Sequence, residues 1–438
     1  EKLHGTLFDS PIQGQGELAF AEQRLTIDKL LLQSSENRLT ADGILAETRS
    51  NLDFSIDAPN LATVWPGLSG SIKGSGTVRG NYLDPAVKVQ LNANNLGYQD
   101  YRLELLTLNL DYAEALGRNS QLDLILQGLE LDGQAIDQLT LKGAGSLNNH
   151  RLDAKLSSDI VKLDTELNGS IRNQRWLATL ERLNIDQAQL KQWQLERPWP
   201  IRLDFTGDDI ALNLPQNCLI QAGAAICLSA DGSLERRLSA NAELRNIDLA
   251  MVKPWLPENL SLDGTLNANA NLLKRGERLS ADAGAAIANA SLQLSRNGEE
   301  TLTLPLSETR LNAQYSDERL DAELRIGLTG QDFISAQIKT APLATKNAQS
   351  LTGNLQASIA DLNLVDQLVQ DIENLKGRIT ADLTLAGDTE RPAISGLLQL
   401  SNAELDVPEI GIHPHNINLR LSGQPGQPER LALTGSID

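Results

Sequence analysis

Strict alternation of apolar and polar residues constrains the fold of this chain more than any other feature. In GRITADLTLAGDTERPAISGLLQL, residues 377–400, Ile379, Ala381 and Leu383 alternate with polar residues, and the pattern resumes at Ile394 after a Gly/Asp/Pro break. A period of two residues puts successive side chains on opposite faces of a β-strand. The segment therefore predicts two neighbouring strands that share one apolar face.

The same alternation recurs from one end of the chain to the other, which predicts an all-β fold. Examples are Leu52, Phe54, Ile56; Leu122, Leu124, Leu126; and Leu238, Ala240, Ala242, Leu244. The apolar positions change phase between Leu105 and Leu106, and again between Ile287 and Ala288. A one-residue slip turns every later side chain to the other face, so we expect a bulge or a strand break at both places.

Composition limits the classes of function. The chain has 5 Trp, 5 Tyr and 5 Phe in 438 residues, so Leu, Ala, Ile and Val must form the apolar surface. A net charge of −19 and the scattered Lys and Arg residues argue against nucleic-acid binding. No apolar run reaches the roughly 20 residues that a membrane span requires. Because both ends lie within strand-like pattern, we expect residues 1–438 to be a single extended segment of a longer protein.

The two cysteines lie in CLIQAGAAIC. If Ala222 and Gly223 form a two-residue hairpin turn, Cys218 is directly opposite Cys227 as a non-hydrogen-bonded pair, the kind with close Cα atoms. This register predicts a cross-strand disulfide and hence an oxidising compartment. Two buried free thiols, or half of a metal site, are the alternative interpretations.

Helical periodicity interrupts the strands at a few places. We predict a short amphipathic helix over residues 362–375, a weaker one near residues 248–257 that Pro254 disrupts, and a shorter one over residues 58–68. The helix over 362–375 either packs on the apolar face or gates it. Each interruption precedes a strand that begins near a glycine, which indicates an irregular internal repeat: Gly70, Gly264 and Gly377.

One stretch carries a specific family pattern. Residues 375–421 read LKGRITADLTLAGDTERPAISGLLQLSNAELDVPEIGIHPHNINLRL. A Gly-led strand, G-x-x-x-x-P-x-x-x-G-x-L-x-L, an N-A-x-L strand and P-x-x-G-I before N-I-N-L make this stretch similar to the TamB family. That family lies within the AsmA-like superfamily of bridge-like lipid transfer proteins.

The resemblance implies an elongated, strongly curved β-taco with an open hydrophobic groove. It implies a periplasmic location in a Gram-negative bacterium, with an inner-membrane anchor outside this segment. The function it implies is carriage of phospholipids between the two membranes, linked to outer-membrane protein and autotransporter assembly. Partners would be phospholipid acyl chains and, through regions outside this segment, an Omp85-type outer-membrane barrel similar to TamA.

The inward apolar positions are the candidate binding residues. We expect the following residues to line the groove: Leu266, Ala268, Ala270, Leu272, Leu320, Leu324, Ile326, Ile379, Ala381, Leu383, Leu385, Ile394, Leu398, Leu400, Ile417, Leu419 and Leu421. Two alternatives remain. One is an assembly scaffold that templates client β-strands without transporting lipid. The other is a β-solenoid or adhesin with a closed core.

Catalytic and metal-binding interpretations are weak. His4 and His150 stand alone in strand-like context, and no nucleophile motif accompanies them, so we expect no enzymatic activity and no cofactor. His413 and His415 would point the same way on a strand, near Glu409, but no third firm ligand completes a metal site.

Overall fold

The computed structural model describes residues 2–8, 10–81, 85–113, 118–131, 133–257, 259–296, 300–328, 330–342, 349–360, 362, 372–408, 410–423 and 431–437. The chain divides into two compact units, Glu1–Asp208 and Asp209–Asp438. Both consist almost entirely of β-strands, and every strand pairing described within either unit is antiparallel. The predicted all-β class is confirmed.

Unit 1, Glu1–Asp208, contains the first strands of the chain. They are β1 (Lys2–Leu7), β2 (Ser10–Ala21), β3 (Arg24–Ser34), β4 (Asn37–Ala46), β5 (Ser50–Ala58), β6 (Leu68–Gly80), β7 (Pro85–Tyr98), β8 (Tyr101–Tyr112), β9 (Ser120–Leu131), β10 (Gln134–Ser146), β11 (Asn149–Ser157), β12 (Val161–Arg172), β13 (Arg175–Gln187), β14 (Lys191–Leu195) and β15 (Trp199–Asp204). Each strand pairs with the next along the chain, except that β14 and β15 both pair with β13.

Unit 2, Asp209–Asp438, repeats this arrangement. Its strands are β16 (Ala211–Gln221), β17 (Ala224–Ser233), β18 (Arg237–Asp248), β19 (Leu260–Arg275), β20 (Arg278–Arg296), β21 (Glu300–Leu306), β22 (Thr309–Ser316), β23 (Arg319–Gly327), β24 (Phe333–Pro342), β25 (Gln349–Ile359), β26 (Glu373–Gly387), β27 (Pro392–Asp406), β28 (Ile417–Gly423) and β29 (Leu431–Ser436). Here β21 and β22 both pair with β20.

Among the residues that the structure describes, two short 3-10 helices interrupt the strands, at Leu61–Thr63 and Leu249–Trp255. The side chains of Asn60 and Asp248 accept the backbone N–H two residues later, which satisfies a donor that the helix start leaves unpaired. Both interruptions are 3-10 helices, because at so few residues i+3 hydrogen bonds close the turn sooner than i+4 bonds.

The third predicted helix, over residues 362–375, lies largely outside the described residues. Its predicted C-terminal end is wrong, because Asn374 and Leu375 belong to β26, which begins at Glu373. Leu375 pointed to a helix because its spacing from Leu368 fits a helical stripe. The same residue also fits the alternation of the strand that follows, and pairing with β27 decides in favour of the strand.

Of the two phase changes, the one near Ile287 has the expected bulge. The bulge or strand break expected between Leu105 and Leu106 is wrong, because β8 keeps one register there with both β7 and β9. The register between β19 and β20 shifts between Asp263 and Thr265, so that Thr265 pairs with Ala288. At this shift Gly264 has φ +132° and Asn289 has φ +52°. The extra residue lets the apolar positions on both sides of the shift stay on one face.

The same pair of residues recurs at each Gly-led strand. Gly70 lies beside Asn95, and Gly377 beside Asn402, each asparagine following its glycine at the same distance along the chain as Asn289 follows Gly264. All of these residues have positive φ, a conformation that Gly adopts freely and that Asn adopts more readily than other side chains. We call them the Gly–Asn bulges. The repeat seen in the sequence is therefore a repeated bulge between two neighbouring strands.

The predicted disulfide is confirmed. Cys218 and Cys227 are bonded and are direct cross-strand partners, with Gln221 opposite Ala224 across the turn. The pair is buried and, with Ala225, forms a small apolar cluster on the face opposite the apolar rows. The Arg245 guanidinium contacts both sulfur atoms, 3.2 Å from Cys218 Sγ and 2.9 Å from Cys227 Sγ.

Candidate functional site: the apolar faces

Unit 2 presents rows of apolar residues that run across its strands. Residues directly opposite in an antiparallel pair project to the same face, so a chain of pairings traces one row. One row is Leu244, Ala268, Ala285, Leu311, Leu324, Ala336, Leu355, Leu383 and Gly396. The next is Leu266, Ile287, Thr309, Ile326, Ile334, Ala357, Ala381, Leu398 and Leu421. These rows form one continuous apolar face.

The pairing register places every candidate lining residue on this face. Besides the members of those two rows, Ala270, Leu385 and Ile394 lie on a third row, and Leu272 and Leu320 on a fourth. Ile379, Leu400 and Leu419 form a fifth row, and Ile417 lies two residues before Leu419 on β28. The side chains between them, such as Thr384 opposite Ser395, project to the other face.

Large side chains on this face are partly accessible. Ile394 is 54% exposed, Leu311 42% and Ile338 40%. A packed interior buries residues of this kind almost completely. The face of unit 2 is thus an accessible apolar surface rather than a closed core.

Unit 1 has an apolar face built in the same way but with a different texture. One row is Ala41, Phe54, Gly76, Val89, Leu110, Leu122, Gly143, Leu152, Leu167, Leu180 and Trp199. In this row Phe54 is opposite Gly76, and Gly143 lies between Leu122 and Leu152. A Cβ on Gly76 would come within 2.4 Å of Phe54 Cζ, so the absent side chain is what lets the ring lie across the neighbouring strand.

A second glycine lies under a polar pair. Trp176 Nε1 donates to His150 Nε2 at 3.0 Å, and the two rings are nearly parallel. A Cβ on Gly169 would lie 2.4 Å from His150 Nε2 and 2.8 Å from Trp176 Nε1. In the sequence His150 has no catalytic or metal-binding neighbour, and in the structure Trp176 is its partner. The signal that could have found the pair is Gly169, which is opposite His150 once β11 and β12 are in register.

The opposite face of unit 1 carries an ion-pair network. Arg182 reaches Asp164 at 3.1 Å and Glu166 at 3.0 Å, and Arg151 reaches Glu166 at 2.9 Å and Asp153 at 2.8 Å. The hydrogen bond from Arg151 is the main reason that the pKa of Asp153 is lowered. These charges keep one face of β11 to β13 polar while the other face is apolar.

His413, one of the two histidines considered as metal ligands, is hydrogen-bonded to a carboxylate. His413 Nδ1 lies 2.7 Å from Asp406 Oδ1, and this hydrogen bond, with one from Asn374, lowers the pKa of Asp406. Glu409 lies outside the described residues. Within the described part of the chain no three His, Cys, Asp or Glu side chains gather as a metal site requires.

These features define the class. In each unit, an antiparallel sheet made of successive strands presents one continuous apolar face and one polar face, a surface suited to binding hydrocarbon or covering another apolar surface. None of the helices in the described residues is both long and apolar enough to span a membrane.

Comparison with known proteins identifies the family. The family model described as "TamB, N-terminal domain" matches residues 1–400, so the chain belongs to the TamB family. A curated relative is the translocation and assembly module subunit TamB of Haemophilus influenzae, 23% identical over 443 aligned residues that cover 99% of this chain. The alignment covers 33% of that relative, so the chain spans about a third of its length. No solved structure matches the chain.

Proposed function

We propose that this segment binds the acyl chains of phospholipids along its apolar faces and carries them between the inner and outer membranes. The observation that supports the proposal most strongly is the register of unit 2, in which aliphatic residues of successive strands oppose one another from β18 to β28 without a polar row between them. Each methylene group buried on such a face contributes about 0.8 kcal/mol.

The mixture of small and large aliphatic residues on the face of unit 2 suits a ligand that moves along it. Ala268, Ala285 and Ala336 lie among leucines along one row, and Thr309 is the one hydroxyl in the row beside it. Because many positions offer similar contacts, a chain that leaves one position gains nearly the same contacts at the next. The face therefore supplies affinity without a single deep site, and direction has to come from elsewhere.

The wider assignment follows the family. The Haemophilus influenzae relative is named as a subunit of a translocation and assembly module. We place this chain in the same kind of module, in the periplasm, with an inner-membrane anchor and an Omp85-type barrel partner engaged by other parts of the protein. The disulfide between Cys218 and Cys227 supports an oxidising compartment.

Site-specific photo-crosslinking in the full-length protein in cells tests the proposal. A photo-reactive residue at Leu383 or Leu398, both on the apolar face, should give phospholipid adducts. The matched control is Thr384, the next residue on β26, which projects to the opposite face. Adducts at Thr384 but not at Leu383 would contradict the proposal.

A second variant separates lipid carriage from strand templating. Leu383→Asp puts a charge on the apolar face and leaves the backbone pairing of β26 unchanged. We expect reduced lipid adducts at Leu398 with a thermal midpoint close to that of the unchanged protein. If outer-membrane protein assembly is lost while the lipid adducts persist, the segment acts as an assembly scaffold instead.

A further inference from the structure

A notch runs along β10 on the apolar face of unit 1. Gly143 and Gly145 occupy consecutive inward positions of this strand, so its backbone is bare there. Leu122 flanks Gly143 from β9, and Leu152 flanks it from β11. The two flanking strands are two strand spacings apart, about 10 Å between backbones, and their leucines form the walls. We call this the glycine notch.

The notch coincides with a cavity of about 260 Å³ whose lining is almost entirely apolar. Leu110 and Ile171 extend its walls beyond the leucines of β9 and β11. The space between the leucines of β9 and those of β11, above the bare backbone of β10, is one hydrocarbon chain wide. Two chains side by side would need a third strand without side chains.

One end of the notch lies at the rim of the sheet. At the end beyond Gly145, where β10 turns into β11, the lining includes Tyr112, Ser120 and His150. These residues all lie where strands end or begin, at the rim of the sheet, whereas Leu122 and Leu152 lie deeper. A ligand matched to this shape has a hydrocarbon part in the notch and a polar end beyond the strand ends.

We propose that the glycine notch seats one acyl chain of a diacyl phospholipid at the rim of unit 1, with the head group outside the notch, beyond the strand ends at Ser120 and His150. This inference rests on the proposed function and adds a defined entry position to it. The inner end of the notch is closed by Leu141, the next inward residue of β10, which opposes Leu124 in a row that crosses the strands. A diacyl lipid is the occupant because the proposed function supplies it, and a free fatty acid is the alternative that the test decides.

The hydrogen bond between His150 and Trp176 fixes the rim. Because the indole N–H donates to His150 Nε2, the imidazole is held flat over Gly169 and does not enter the notch. Its other nitrogen, Nδ1, lies 3.3 Å from the Ser146 carbonyl oxygen at the end of β10. His150 therefore acts as a positioning residue for the opening between β10 and β11.

Filling the notch tests the proposal. Gly143 has no positive φ, so leucine is compatible with its backbone, and its Cβ would lie 3.1 Å from Leu152 Cδ2. The full-length protein carrying Gly143→Leu is labelled in cells with a phosphatidylethanolamine that bears a diazirine on one acyl chain, and adducts are mapped by mass spectrometry. We expect adducts on β9 to β11 to fall about tenfold, the loss expected when roughly two methylene contacts are displaced.

The controls separate this inference from the proposed function. Gly284→Leu places the same change on the polar face of β20, where a Cβ would meet Asn269, and should leave notch adducts unchanged. Adducts near Leu383 in unit 2 are counted in the same sample. If notch adducts persist in Gly143→Leu while Leu383 is labelled, the notch proposal is wrong and the proposed function stands. If Leu383 is never labelled but the notch is, the proposed transport along the face fails and the notch stands.

Two further arms keep the test decisive. Gly143→Ala adds a Cβ only, so a smaller loss of notch adducts is expected even if Gly143→Leu does not fold. A diazirine-bearing palmitate is the competing ligand. If palmitate labels the notch and the phospholipid does not, the diacyl lipid is the wrong occupant.

Discussion

The two units use one folding pattern to make two different apolar faces. In unit 2 the rows consist largely of Ala, Leu and Ile, as in Leu244, Ala268 and Ala285. In unit 1, rings such as Phe54 lie over glycines such as Gly76, and the result is a relief of ridges and notches. The alternation of apolar and polar residues along a strand sets which face is apolar. The sizes of the apolar residues set whether that face is even or has ridges and notches.

The units also differ in what stabilises their polar faces. Unit 2 carries the disulfide between Cys218 and Cys227, with Arg245 over the sulfurs. Unit 1 contains no cysteine and instead carries the ion-pair network around Arg182 and Glu166. A disulfide is insensitive to salt and pH but is broken by reduction. An ion-pair network is weakened by salt and by changes of pH but is insensitive to reduction.

The largest expected effect comes from removing the disulfide. Cys218→Ala with Cys227→Ala should destabilise unit 2 by about 2 kcal/mol, the low end of the usual range, because the closed loop is a short hairpin. Hydrogen exchange should show the loss of protection on β16 to β18 and none on β11 to β13. Equal loss in both units would mean that the two units do not unfold separately.

The next effect concerns the Gly–Asn bulges, which both units contain. Gly264→Ala in unit 2 and Gly70→Ala in unit 1 should each cost about 2 kcal/mol, because both glycines have positive φ and a Cβ would contact the neighbouring strand. Urea unfolding measures both variants. Gly284→Ala is the matched control, since Gly284 has no positive φ, and it should stay within about 0.5 kcal/mol. If Gly264→Ala behaves like Gly284→Ala, the Gly–Asn bulge is not a conformational requirement.

A smaller effect distinguishes the polar faces. Arg182→Met removes the residue that joins Asp164 to Glu166 and should cost about 1 kcal/mol at low salt, falling as salt is added. Lys339→Met in unit 2 removes a single exposed pair with Asp321 and should cost only about 0.3 kcal/mol. Denaturation at two salt concentrations gives both values. A salt-independent loss for Arg182→Met would indicate lost packing instead of lost charge.

The smallest effect is the change of stability at low pH that Asp204 causes. Hydrogen bonds from the Thr206 hydroxyl and backbone N–H, with Arg175 nearby, lower the pKa of Asp204 to about 2. Because the pKa is lowered on folding, ionised Asp204 contributes stability above its ordinary pKa of 3.8, and that contribution is lost as the pH falls through about 2. NMR titration should find this value, and Thr206→Val should raise it toward 3.8. An unchanged pKa in Thr206→Val would assign the effect to the backbone N–H of residue 206 and to Arg175.

Much of the architecture follows from sequence because it depends on local pattern. The alternation of Ile379, Ala381 and Leu383 is enough to assign a strand and its apolar face. The hairpin around Ala222 and Gly223 is short enough for its turn to fix which residues are opposite, and the cysteine pairing follows. Leu375 shows the limit, since its spacing satisfies both a helix and a strand.

Features that need a second strand were beyond the sequence. Asn95 and Asn289 look like ordinary polar positions until the bulge places each beside its glycine. The glycine notch exists only because Leu122 and Leu152, which are distant from each other in the chain, come to lie on either side of Gly143.

The sequence by itself determined the fold class, the identity of the apolar face and the disulfide, because strand periodicity and hairpin register act over a few neighbouring residues. Tertiary structure alone decided where that face is smooth, where Phe54 or Trp176 covers a glycine, and where a notch remains. The reason is physical: surface relief depends on which side chains of separate strands are brought together, and that is set by the accumulated register of the whole sheet.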